Sequence, residues 1–569
     1  MRWMALCLVV CAVVVGGCSS TAELAGAGAR SHVDQSTGGM VVSNSSDASE
    51  IGAAILGRGG NAVDAAIAVQ FAMAVTWPEA GNIGGGGFML VAQPGMDAVC
   101  IDYREVAPGA ATVDMYAFGE NRHHHRHVGV PGTVAGMAMA HGRYGRLPWR
   151  ELVLPAMALA RDGFEVDGHL AASLNRVLND PKTKAADNLA ELRRVYGKPG
   201  GGDWVDGDVM VLPDLAGTLE VIAEMGAMGF YRGEVAEQLA ASMRRHGGLI
   251  TEDDLALYQA KARLGVRTSY RGYDVYGAPP ASSGGITIGL MLNVLETFEV
   301  GAMDRFGGEL VHLMAETMKR GFRDRAAYLG DTDFVEVPME RLTSKLYAHE
   351  LAAGIGPMAT SSESLAPPIA LADEGPSTTH FSVIDAEGMA VSNTTTLEQA
   401  WGSRVIPEGL GFVLNNEMGD FNWKPGYTDR RGRIGTEANV IAPGKRMLSS
   451  MSPTIVKKDG EAVLVIGSPG GRTIINTVLG IVVSTVDHGM PLWEAIDAPR
   501  MHHAWFPDRI TLEEGYEAEV IEALEAKGHE VRVREGSQGA AHGIAIDPET
   551  GLRTGVADYR RGGLAVGVE

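Results

Sequence analysis

Cysteine is almost absent from this chain. Of 569 residues four are Cys, and Cys7, Cys11 and Cys18 all lie at the apolar N-terminus. With a leader removed and Cys18 lipidated, Cys100 is the thiol left, so no internal disulfide framework can form even in an oxidising compartment. Cys100, in "DAVCIDY", then reads as a small core residue on a strand. Cationic charge is also in deficit, with 48 Lys and Arg against 70 Asp and Glu and a formal net charge of -22. That balance argues against nucleic acid as a partner. There is no internal repeat, which excludes repeat architectures.

What is present suits a globular fold. The chain is 45% hydrophobic and 21% charged, with 75 glycines, and is long enough for a large core or two domains. "MRWMALCLVVCAVVVGGCSS" has one Arg and then an apolar run too short for a membrane span, so residues 1–17 read as a secretory signal. "VGGC" (Val15 to Cys18) resembles a bacterial lipobox, which makes Cys18 the lipidated first residue of the mature chain. An ordinary signal peptide or an uncleaved anchor is the alternative. Residues 18–38 are rich in Ser, Gly and Ala and read as a tether.

Helical patterns follow at Ser46 to Gly57 and Asn61 to Val75. "GNIGGGGFMLVAQ" is a Gly-rich turn entering a strand, and "AVCIDYREVAP" is the next strand. Residues 132–260 look mainly helical, and a helix is predicted over Ile286 to Phe298. A polar, Pro-containing connector, Met358 to Ser377, precedes a region of alternating patterns that begins at Thr378. In that region "TIVKKDGEAVLVIGS" is a hairpin turning at Asp459-Gly460, and "GGRTIINTVLGIVVSTVDHG" is a Gly-Gly turn opening a helix.

The stretch "DEGPSTTHFSVIDAEG" (Asp373 to Gly388) starts a strand on a Thr-Thr pair. Phe381 and Val383 share one face; Thr378, His380 and Ser382 share the other. A three-residue turn, Ala386-Glu387-Gly388, gives Gly the left-handed position and pairs Asp385 with Met389. Thr378 then faces Thr396, with Glu398 on the same side; a one-residue slip would oppose Thr395 and turn the wrong face inward.

Here the chain resembles the gamma-glutamyltransferase family, whose precursors cleave themselves before the Thr of a "TTH" sequence. The matching stretches run in order from about residue 37 to the C-terminus: "NIGGGGFML", "IDYREVAP", "GVPGTVAG", "YRGYDVY", "PPASSGG", "TTHFSVID", "LNNEMGDF", "RMLSSMSPTIV" and "GSPGG". The resemblance implies the four-layer αββα sandwich of N-terminal-nucleophile hydrolases. It also implies a large subunit, 39–377, and a small catalytic subunit, 378–569, associated without covalent bonds after cleavage between Ser377 and Thr378.

Thr378 would then carry both nucleophile and base, since an α-amine of pKa about 7.7–8.0 is partly neutral at working pH and can take the hydroxyl proton. Thr379 is the less favoured nucleophile. The resemblance makes Thr396 the residue that orients Thr378, and makes Gly470 and Gly471 the oxyanion hole. Backbone N–H groups at a helix start suit that role, and also a plain anion site. A γ-glutamyl donor has a free α-carboxylate, for which Arg104, Ser449 and Ser450 match the family, and a free α-ammonium, for which Glu417 and Asp420 match. Glu398 stands where well-known members usually have Asn; its carboxylate would add to ammonium binding, repel an acidic acceptor, or pair with Arg104. The lid Tyr of many bacterial members falls on Arg431, with Tyr427 four residues early.

"NRHHHRH" (Asn121 to His127) reads as a solvated loop rather than a metal site, and "NIGGGGF" as a structural turn near the active site rather than a phosphate loop. No metal or organic cofactor is implied. The expected substrates are glutathione-like γ-glutamyl donors with water, amino acids or peptides as acceptors, on the periplasmic side of a bacterial envelope. The alternatives are a glutaryl or cephalosporin-type acylase of the same fold, and an uncleaved envelope lipoprotein that only binds.

Overall fold

A computed structural model describes residues 30–117, 120–186, 189–365, 377–423 and 436–569. Cys18, most of the connector before Ser377, Tyr427 and Arg431 lie outside the described residues.

Two seven-stranded sheets carry the fold. One runs Leu564–Val568, Gly39–Ser43, Ser377–Ile384, Ala390–Glu398, Gly86–Ala92, Val99–Asp102, Lys261–Leu264. The other runs His32–Ser36, Arg553–Ala557, His542–Ile546, Glu461–Gly467, Thr454–Lys458, Tyr273–Gly277, Val266–Tyr270, so the end of the expected 18–38 tether is instead an edge strand held by pairing with Arg553–Ala557. Neighbours in both are antiparallel.

Side-chain alternation stacks these sheets into layers. Met40, Val42, Phe88, Leu90 and Ile384 of the first sheet pack with Tyr276, Ile455, Val465 and Ile544 of the second, and Cys100 lies in this inter-sheet core. The alternate residues Val41, Met89, Val91, Phe381, Val383 and Val391 face the helices Ser46–Gly57 and Ala62–Thr76. On the far side Val456, Leu464 and Ile466 face Gly284–Leu295, Gly308–Tyr328 and Thr473–Val486. The result is the four-layer αββα sandwich. Helix Ala62–Thr76 is apolar all round because the sheet covers one side and outer helices the other, and every one of its residues is buried. Its start is fixed by a capping box between Asn61 and Asp64.

The threonine hairpin adopts the register set by its turn. Thr378 pairs with Thr396 and Ile384 with Ala390. Gly388 has φ +85°, and Asp385 N–H donates to the Met389 carbonyl at 3.1 Å. Asp385 Oδ2 also accepts from Ala62 N–H at 2.9 Å, which ties the turn to a helix start. The "NIGGGGF" segment packs beside this hairpin: a Cβ on Gly85 would lie 2.1 Å from the Thr396 carbonyl oxygen, and one on Gly87 2.3 Å from that of Thr394. Its glycines therefore serve close backbone approach. Among the described residues no helix is long and apolar enough to cross a membrane.

Candidate active site

The threonine hairpin ends at a small cavity lined by Arg104, Thr378, Thr396, Glu398, Asp420, Ser449, Ser450 and Gly471, with Met451 and Ile474. The topology explains the gathering. Thr378 and Thr396 lie on the inter-sheet face of adjacent central strands, while Arg104 follows the strand Val99–Asp102 of the same sheet. Ser449, Ser450 and Gly471 come from segments flanking the Thr454–Gly467 hairpin of the facing sheet.

Thr378 and Thr396 Oγ1 atoms are 3.4 Å apart, and Thr396 Oγ1 accepts from Glu398 N–H at 2.9 Å. Thr379 points the other way, donating to Asn44 Oδ1 at 2.9 Å. That occupation leaves Thr378 as the hydroxyl facing the cavity. The pairing breaks between Ser377 and Thr378: Ser377 opposes Glu398, so Leu397 is an extra residue. Such a bulge re-aims the backbone locally, and it falls at the expected cleavage bond. Arg561 Nη1 reaches the Thr378 carbonyl at 3.5 Å.

Arg104 is buried among acids. Its Nη1 lies 2.7 Å from Glu417 and 3.3 Å from Glu105, and its Nη2 lies 2.6 Å from Asp420. The groups expected to hold opposite ends of a donor are thus paired with one another. Glu417 lies behind Arg104 rather than in the cavity wall. Burial works against the Arg104 charge, but Glu417, Glu105 and Asp420 outweigh it and hold its pKa above the ordinary value. The acids answer in the other direction. Burial, with Glu105 and Glu398 nearby, pushes Glu417 up to about 8 despite Arg104, and burial pushes Glu105 up to about 7.

This shift has a measurable consequence for stability. Native Glu417 keeps its proton to about pH 8, whereas an unperturbed glutamate releases it near 4.5. The native state therefore binds more protons between those values, and this group makes stability fall as pH rises through that window. Glu417→Gln is neutral throughout. The slope of unfolding free energy from chemical denaturation should flatten between the two pKa values by up to about 1.4 kcal/mol per pH unit. An unchanged slope would place the proton elsewhere.

Ser449 and Ser450 are held by the "PPASSGG" segment. The Ser449 carbonyl accepts from both the N–H and the hydroxyl of Ser283, at 2.7 and 2.6 Å. Arg325, on helix Gly308–Tyr328, donates to Ser283 Oγ at 2.8 Å and Ser450 Oγ at 3.0 Å. Sequence reading missed Arg325, because its one cue is the run "GFRDRAAY" on a helix far along the chain. Gly470 and Gly471 have φ +134° and +57°, and form a turn just before helix Thr473–Val486 rather than its first residues. Gly471 lines the cavity; Gly470 is not among the lining residues.

Two expectations change. Glu398 does not pair with Arg104: its Oε1 is 2.7 Å from Arg122 Nη1. Its backbone has φ +77°, a left-handed position where Asn is favoured over Glu, which accords with the usual family residue. And "NRHHHRH" is not a solvated loop. His125 and His127 are buried, His125 stacks on His246 at 4.6 Å, and His127 stacks on Tyr116 at 4.4 Å. Elsewhere, His312, Glu316 and His529 converge, but their ligand atoms are already engaged. His312 Nδ1 and His529 Nε2 share a hydrogen bond at 2.8 Å, and Glu316 pairs with Lys319 at 3.1 Å and Arg320 at 2.7 Å.

An N-terminal-nucleophile sandwich with a threonine pair at its inter-sheet mouth defines the class of enzyme. The chain belongs to the gamma-glutamyltranspeptidase family, whose model matches residues 48–568. It is 44% identical over 533 residues to the glutathione hydrolase proenzyme of Escherichia coli K12, covering 92% of this chain and 90% of that protein. Among solved structures, a cephalosporin acylase from Bacillus halodurans superposes with a TM-score of 0.85 at 28% identity, covering 98% of this chain and all of that one. A Helicobacter pylori gamma-glutamyltranspeptidase chain gives a TM-score of 0.54 at 39% identity, over 56% of this chain and 93% of that one.

Proposed function

We propose that this protein is a self-processing γ-glutamyl hydrolase and transferase that acts on glutathione and related compounds. The observation that carries the reading is the single cavity that holds Thr378, Thr396, Arg104, Asp420, Ser449 and Ser450 together. In maturation, Thr378 Oγ1 attacks the Ser377 carbonyl and the peptide bond passes to an ester. Water splits the ester, leaving a carboxylate on Ser377 and a free amine on Thr378. The chain then consists of a large subunit, 39–377, and a small one, 378–569, held without a covalent link.

In turnover, the α-amine takes the Thr378 proton as Oγ1 attacks the γ-carbonyl, and gives it to the departing amine. Thr396 orients the hydroxyl, and N–H groups of Gly470 and Gly471 receive the oxyanion. The acyl-Thr378 then passes to water, an amino acid or a peptide. Arg104 with Ser449 and Ser450 binds the donor carboxylate; Asp420 and Glu398 bind its ammonium, and Glu417, expected to join them, backs Arg104 instead. Donor binding thus exchanges pairs between Arg104 and its neighbouring acids for pairs with the substrate. The mature chain would be anchored through lipid on Cys18 at the periplasmic side of the envelope.

The whole-length likeness to a cephalosporin acylase supports a second reading, an acylase for glutaryl groups. Acids beside Arg104 favour γ-glutamyl, because a glutaryl group has no ammonium for them to meet. The test is turnover of γ-glutamyl-p-nitroanilide against glutaryl-p-nitroanilide, with and without glycylglycine as acceptor. The γ-glutamyl compound should be preferred by about 100-fold or more in kcat/KM, as a buried ion pair lost to the analogue implies. A reversed preference supports the acylase, and cleaved protein inactive on both overturns either enzyme reading.

A further inference from the structure

We propose that Arg122 is a positioning residue for donor specificity: it holds the Glu398 carboxylate in the cavity wall as a further ligand for the donor's α-ammonium. The inference rests on the γ-glutamyl reading above.

Glu398 lines the cavity beside Thr378 and Asp420, whereas Arg122 is not among the lining residues. Arg122 approaches Glu398 from behind, with Nη1 2.7 Å from Oε1. The Glu398 side chain is 1% exposed and that of Arg122 19%, so the pair is largely shielded from solvent screening. Glu398 stands among like charges: it is one of the groups that push Glu417 up. A cation at that distance favours the charged carboxylate and fixes its direction.

The surroundings hold Arg122 in place. Its guanidinium carbon lies 5.0 Å from the centre of the Trp423 ring. Position 419 between the two acids Glu417 and Asp420 is Gly, and a Cβ there would lie 2.9 Å from Arg122 Nη1 and 3.0 Å from its Cδ and Cζ. The absence of a side chain at Gly419 is what admits the arginine. Just after Arg122 the chain is pinned twice, by His125 on His246 and by His127 on Tyr116. Arg122, Gly419, Trp423 and Glu398 thus form one device, with its carboxylate directed at the substrate. A γ-glutamyl group meets that carboxylate with an ammonium, and a glutaryl group has nothing to offer it.

Calorimetric binding of L-glutamate and glutarate to the mature protein separates a specificity role from a structural one without relying on turnover. Arg122→Ala should weaken L-glutamate about tenfold and glutarate less than twofold. Arg122→Lys should recover most of the loss, since it restores the charge. In a Glu398→Asn background, Arg122→Ala should change neither ligand. Equal weakening of both ligands, or the same loss with Asn at 398, overturns the role. Wild-type protein that binds no L-glutamate overturns both this role and the function it rests on. Protein that binds L-glutamate in this pattern but turns over no γ-glutamyl amide overturns the function alone.

Discussion

Replacing Thr378 with Ala should leave one full-length chain on a denaturing gel where the parent runs as two, the smaller beginning "TTHFSV". In the proposed mechanism the same Oγ1 serves both reactions, so its loss should remove maturation and turnover together. Thr379 offers no substitute: it faces away and its hydroxyl is held by Asn44. Any residual turnover should fall by at least about 10⁴-fold, the scale on which removal of a nucleophile acts. Thr378→Ser keeps the oxygen and should still mature. N-terminal sequencing of the small band decides which peptide bond is cut. If wild type and Thr378→Ala both give one band, the amine never forms, and the binding-lipoprotein reading takes the place of the enzyme.

Arg104 is the second large effect, and its burial changes what the substitution tests. On the surface, Arg104→Ala would remove a substrate anchor and little else. Here it would remove the buried guanidinium that Glu105, Glu417 and Asp420 all contact. Breaking a buried pair by removing one partner costs about 3–5 kcal/mol, so Arg104→Ala should lower the unfolding midpoint sharply as well as abolish donor binding. Arg104→Lys is the cleaner probe. It keeps the positive charge among the acids but loses the planar fork that grips a carboxylate through two parallel hydrogen bonds. Its KM for a γ-glutamyl donor should rise by about 100-fold, while kcat changes little and self-cleavage goes to completion. An unchanged KM would remove Arg104 from the substrate site.

Much of this site can be read locally. The hairpin register follows from one three-residue turn, because a pleated strand has period two and a one-residue slip would turn the wrong face inward. The Ser46–Gly57 helix and the Asp459-Gly460 turn likewise follow from short-range signals, and the structure has both where expected. The pairing of Arg104 with Glu417 and Asp420 could not be read this way. These residues are more than 300 positions apart, and whether an arginine meets a substrate or a neighbouring acid depends on distances that no local pattern encodes. Arg122 and Arg325 were missed for the same reason. The histidine run was misread because polar composition suggests solvent, while Tyr116 and Trp423 cover it in the fold.

By itself, then, the sequence determined the elements whose causes are local: strand faces, turns, caps, and the register that sets Thr378 opposite Thr396. The four-layer class followed from the matching family stretches rather than from any pattern of spacing. The tertiary structure alone decided the electrostatics of the site. Which acids keep their protons, which arginine is spent on internal pairs, and what stands behind Glu398 depend on Coulomb interactions and desolvation. Both are set by burial and by separations across the sandwich, not by neighbours along the chain.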